Sequence, residues 1–88
     1  MVPAHLHRID PEANMARFYH VDIAPNLFGE VAVLRSWGRI GTHGRMSIET
    51  CATAGEAEIA AAGTLRKKTR RGYVQAEVMS LTDAAVDR

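Results

Sequence analysis

Eighty-eight residues suffice for one small domain with one hydrophobic core, and exclude a second. The apolar share of 47% is less generous than it sounds, because 14 of those residues are alanine and bury little area. A net charge of +1 rules out a uniformly basic or acidic chain, no run approaches the ~18 apolar residues of a membrane span, and a lone Cys51 rules out an internal disulfide.

The single cysteine fits a reducing compartment. Met1-Val2-Pro3-Ala4-His5 lacks the charged start and apolar stretch of a signal peptide, so a cytoplasmic protein is expected. Charge is spread unevenly. Residues 35–71 hold eight Lys or Arg against three acids, whereas the flanking segments carry more acids than bases. An anionic partner responds to that local field rather than to the total.

In chain order, His5 to Ile9 forms a short first strand, stopped by the turn-like Asp10-Pro11-Glu12-Ala13-Asn14. Arg17 to Ile23 alternates, with Tyr19, Val21 and Ile23 on one face and Phe18, His20 and Asp22 on the other. Pro25 to Gly29 is a loop. Glu30 to Trp37 is the strongest strand, with Val31, Val33, Arg35 and Trp37 sharing a parity. Gly41 to Gly44 reads as a hairpin loop, and Arg45 to Cys51 as the returning strand.

The period then changes. Thr53-Ala54-Gly55-Glu56 fits a capping box, with Glu56 reaching back. A helix is predicted from Ala54 to Arg71, ending at Gly72. Ala57, Ala61 and Leu65 form its thin buried stripe. Tyr73 to Val78 reads as a last strand. The fold class is α+β, an antiparallel sheet of four or five strands with one helix on a face. The predicted organisation is a short strand and turn over 1–16, a domain over 17–79 and a flexible tail over 80–88.

Two features point to a contact surface. In Trp37-Gly38-Arg39-Ile40-Gly41-Thr42-His43-Gly44 the only tryptophan stands beside an arginine among three glycines. A lone tryptophan in a small domain either packs in the core or, through a bulge at Gly38, turns outward, where it can stack on a base or ribose while a cation holds the phosphate. Arg35 and Arg45 bracket this segment and extend a positive rim. The second feature is the helix end. Arg66, Lys67, Arg70 and Arg71 fall in one arc of roughly 140°, with Lys68 beside the buried stripe. One or two cations complement the helix dipole; four on one arc fit a phosphate backbone. Tyr73 either stacks or closes the core.

Trp-Gly-Arg-Ile-Gly-x-x-Gly, preceded by Phe18-Tyr19 and followed by a helix ending in Lys67-Lys68-Thr69 and then Gly72-Tyr73, resembles the WGR domain of nuclear poly(ADP-ribose) polymerases and of many bacterial proteins. The resemblance runs from about Arg17 to Val78. It implies that Trp37 packs on a sugar-phosphate backbone near a DNA break or end, and that Arg39 makes DNA or interdomain contacts. It also implies a module without catalytic activity, since the polymerases place their chemistry in a separate domain. Three departures stand out: Ala61 replaces a large side chain on the helix, Arg45 takes the place of a common Gln, and the segment before Arg17 offers no matching basic or amide grip on the backbone.

Other chemistry is poorly supported. His5 and His7 share a strand face, with His20 and His43 elsewhere, and neither a metal nor another cofactor is indicated. The glycines match neither phosphate-binding motif. Cys51 and His43 lack a third partner, and a free cysteine usually behaves as a buried hydrophobe. Two function classes follow. One is a nucleic-acid-binding module of low sequence specificity acting on duplex DNA, nicks or ends through Trp37, Gly38, Arg39, Arg35, Arg45 and the helix arc. The other is a protein-interaction module, self-associating or docking on another polypeptide, for which Ile59 within the cationic arc is an exposed anchor.

Overall fold

Alternation in the first half and a four-residue alanine repeat in the second give a sheet with one helix across it. The computed structural model describes residues 3–76. The strands are β1 (Ala4–Asp10), β2 (Met15–Pro25), β3 (Val31–Arg39), β4 (Arg45–Cys51) and β5 (Val74–Gln75), and the helix is α1 (Ala54–Arg70). They make one five-stranded antiparallel sheet in the order β4-β3-β2-β1-β5. The α+β expectation is met with five strands.

Local chemistry sets the joints. Between β1 and β2 the turn is a single 3-10 helix, Pro11–Ala13, capped by the Asp10 carboxylate and closed by Asn14 in the left-handed region. At the tip of the β2–β3 hairpin the Asn26 side chain accepts from the backbone of Phe28 and Glu30. Thr53 caps α1 by accepting from the Glu56 N–H at 3.1 Å. The Glu56 carboxylate reaches back to the Ala52 N–H, one residue before the expected cap N–H.

The helix ends in a Schellman motif. The Tyr73 N–H donates to the Lys68 carbonyl and the Gly72 N–H to that of Thr69, with Gly72 at φ +97. This cap sends the chain straight into β5, which pairs with β1. The predicted continuation of that strand to Val78, and the tail, lie outside the described residues.

Pairing fixes which side chains meet the helix. Leu6, Tyr19 and Trp37 lie opposite one another across β1, β2 and β3, as do Val21 with Arg35 and Ile23 with Val33. Val21 and Val33 are fully buried, and the helix covers them with Ala57 and Ala61, also fully buried. Tyr73, Leu6, Tyr19 and Cys51 complete the core. Alanine at both helix contacts lets α1 lie close to the sheet, and the aromatic side chains supply the volume the helix does not. Burial, aided by the Glu49 and Glu56 carboxylates, pushes the Cys51 thiol above its ordinary range, so the free cysteine is a packing residue.

Candidate nucleic-acid interface

Trp37 ends the covered part of β3. It pairs with Tyr19 on one side and Arg45 on the other. The β2–β3 register continues unbroken through Phe18 opposite Gly38 and Arg17 opposite Arg39. No bulge therefore turns the indole outward, contrary to the outward-facing alternative of the sequence reading. Trp37 instead lies half-buried on the helix side, near-parallel to the Tyr19 ring with centroids 5.9 Å apart.

The glycines act through close approach. A Cβ at Gly38 would lie 2.7 Å from the Gly44 Cα, and one at Gly44 would lie 2.1 Å from the Trp37 carbonyl oxygen. Glycine at both positions lets the β3–β4 hairpin fold back tightly over the strand end. The Arg39 carbonyl accepts from both the N–H and the hydroxyl of Thr42, closing that turn.

Around the indole is an open cleft of about 420 Å³. Tyr19, Trp37 and Tyr73 give it aromatic walls, Gly38 a half-buried stretch of backbone, and Arg17, Arg39 and Lys68 its charge. Among the described residues no carboxylate lines it. The Lys68 Nζ sits 4.5 Å above the Tyr19 ring and 5.6 Å from that of Tyr73, a cation–π arrangement. Burial, and then the positive charges of Arg71 and Arg17, hold the Lys68 ammonium below the ordinary lysine range. Burial also raises the Tyr19 phenol, as Tyr73 does more weakly, while Arg35 opposes the shift. Positive potential concentrated this way, with no counter-charge among the described lining residues, favours an anion.

The sequence-predicted residues are thus divided. Trp37, Gly38 and Arg39 line the cleft, and Arg45 stands beside it as the register partner of Trp37. Arg35 does not join them. Its Nε donates to the Thr64 hydroxyl at 2.9 Å and its guanidinium pairs with Glu49 at 2.9 Å, so it ties helix to sheet. Arg66, Lys67, Arg70 and Arg71 are exposed, but none lines the cleft. Arg71 approaches closest, near enough to bias Lys68.

Four cleft residues fell outside the sequence-predicted set: Arg17, Tyr19, Lys68 and Tyr73. Their signals were present. Tyr19 shares a parity with the core, and Lys68 lies within one helical step of the buried stripe, so both face the sheet side where Trp37 lies. Tyr73 resolves as both core and wall, 8% exposed and edge-on to Tyr19. On the opposite face, His20 is not apart from His5, as the sequence suggested. Their rings meet edge-on at 4.3 Å.

Comparison with known proteins agrees with the resemblance. The WGR domain family matches residues 2–79. Uncharacterized protein y4dW of Sinorhizobium fredii (strain NBRC 101917 / NGR234) is 45% identical over 69 residues, covering 78% of this chain and 34% of its own length. A crystal structure of a Bacteroides fragilis protein superposes with a TM-score of 0.73 at 27% identity, covering 85% of this chain and 19% of that one. The chain therefore spans about a third of the curated relative and a fifth of the crystallised one.

Proposed function

This chain belongs to the WGR domain family, and on that premise we propose that it is a non-catalytic module gripping the sugar-phosphate backbone of DNA at nicks or ends. The family is associated with nucleic-acid binding in relatives of the poly(ADP-ribose) polymerases. One observation carries the proposal: three cations and a tryptophan converge on one open cleft, and among the described residues no acid lines it. Arginine forks suit phosphate oxygens, and an indole edge with tyrosine neighbours suits a ribose or an unstacked base. Its arginines and lysine bind phosphate whatever the base, and among the described residues no Asn, Gln, Asp or Glu that would read an adenine or cytosine edge lines the cleft, so affinity depends little on sequence.

The test is a titration of Trp37 fluorescence with a short nicked duplex at two salt concentrations. A saturating change at low salt that weakens at high salt is expected, since each neutralised phosphate releases counterions. Arg39→Ala and Lys68→Ala should each weaken binding to all duplexes alike. No fluorescence change at either salt concentration would reject the proposal.

A second reading, contact with another polypeptide, is favoured by the sheet face that α1 leaves open. Met46, Ile48 and Val74 are each more than 60% exposed there. A monomer by light scattering, unchanged by Ile48→Lys, would remove the self-associating form of that reading.

A further inference from the structure

Arg8, Arg17 and Arg39 lie directly opposite one another in the registers of β1, β2 and β3. Paired residues of an antiparallel sheet project to the same face, and this row stands two residues beyond Leu6, Tyr19 and Trp37, so it shares their face. Like charges directly opposite repel. Among the described residues no carboxylate answers any of the three, and the recorded ion pair joins Arg35 to Glu49. The Arg39 guanidinium has one long contact, 3.4 Å to the Asn14 carbonyl. Arg8 packs against the helix end, where a Cβ on Gly72 would come 3.2 Å from its Nε.

The helix dipole does not account for this row. Its last carbonyls are already taken: those of Lys67, Lys68 and Thr69 accept from the N–H groups of Arg71, Tyr73 and Gly72. Solubility does not account for it either, because mixed signs serve that purpose without in-register repulsion. A ligand carrying a line of negative charges answers all three arginines together.

We propose that Arg39, Arg17 and Arg8 form a track for successive phosphates of one nucleic-acid strand, leading from the Trp37 cleft across the sheet to the end of α1. The proposal rests on the backbone-binding reading above and adds a second contact region and a direction. Neighbouring strands are ~4.8 Å apart, so three in-register arginines span roughly 10 Å. One strand of duplex carries a phosphate per ~3.4 Å of rise, so the track spans about three such steps, enough for one phosphate per arginine. Arginine is suited to this because its planar fork takes phosphate oxygens in pairs. The bound strand then runs across the β-strands, not along them. On this proposal the segment before Arg17 contributes a grip through Arg8, where the sequence reading expected none.

The test is the salt dependence of binding to a nicked duplex, by fluorescence anisotropy, for the wild type, Arg8→Gln, Arg8→Met and Trp37→Ala. Arg8→Met keeps an apolar stem against Gly72 and so guards against loss of the fold. On the track model, both Arg8 variants weaken binding several-fold at low salt. Both also reduce the slope of log affinity against log salt by about 0.9, one phosphate contact. Trp37→Ala weakens binding with the slope retained. Slopes equal to wild type in both Arg8 variants, while Trp37→Ala still weakens binding, would overturn the track and leave the cleft standing. No binding by the wild type would overturn the cleft and the track together.

Discussion

Gly44→Ala isolates the packing on which the cleft depends. Gly44 has φ +68, and a Cβ there would meet the Trp37 carbonyl oxygen at 2.1 Å and the Phe18 ring at 2.9 Å. Gly41, three residues earlier in the same hairpin, has φ +95 and nothing within 4 Å of a built Cβ. Both substitutions incur the left-handed penalty of an L-residue, about 1–2 kcal/mol. Only Gly44→Ala adds a steric collision, and overpacking of that kind costs about 1–3 kcal/mol. A domain of this size loses ~4–8 °C in Tm per kcal/mol. Gly44→Ala should therefore melt roughly 5–20 °C below Gly41→Ala, followed by far-UV circular dichroism with urea titration as a second measure. Equal melting temperatures would refute the idea that close approach, rather than turn geometry alone, holds the hairpin over Trp37.

Four further outcomes are expected. Arg35→Ala should lower stability by about 1–3 kcal/mol, because it strips Thr64 and Glu49 of a charged donor, yet leave nicked-duplex affinity far less affected than Arg39→Ala does; a larger binding loss than that of Arg39→Ala would return Arg35 to the interface. Ala61 is fully buried, so Ala61→Leu should destabilise by about 1–3 kcal/mol in urea unfolding. Burial, and then the charges of His5 and His7, depress the His20 pKa below its usual value of 6.5. Near and below that value the unfolded chain binds more protons than the folded one, so stability present at pH 7.5 should fall as the pH drops below 6.5; a Tm difference between pH 7.5 and 5.5 that shrinks in His20→Gln is the check. The Cys51 thiol, buried with a raised pKa, should react with a disulfide reagent at pH 7.5 far more slowly than in urea.

Much of the fold was legible because it rests on local signals. The parity of Tyr19, Val21 and Ile23, the cap at Thr53 and the stop at Gly72 each specify structure within a few residues. Glu56 missed its expected partner by one position, a detail set by how the chain leaves β4. The site was less legible, for a physical reason. A helical wheel shows which cations share an arc, and Arg66, Lys67, Arg70 and Arg71 do; it does not show where the arc points. The sheet takes the alanine side of α1, and that turns the arc outward and brings Lys68 inward over Tyr19. Strand pairing is non-local as well. Arg39 is far from Arg8 and Arg17 in the chain, and only the register sets the three in one row. The indole was expected to need a bulge to reach a ligand, whereas an unbroken strand end beside a glycine hairpin leaves it half-open.

The sheet order also has a consequence for synthesis. The three central strands follow one another through short hairpins, so they can pair as soon as each leaves the ribosome. Strand β1 gains its second neighbour only when Val74 and Gln75 arrive, more than 60 residues after it was made. Lys68 and Tyr73 emerge at that same late stage, and the Schellman turn that places them needs the Tyr73 N–H. A nascent chain therefore has a meander before it has a cleft. If the cleft grips nucleic acid as proposed, that affinity arises only near the end of synthesis of this domain.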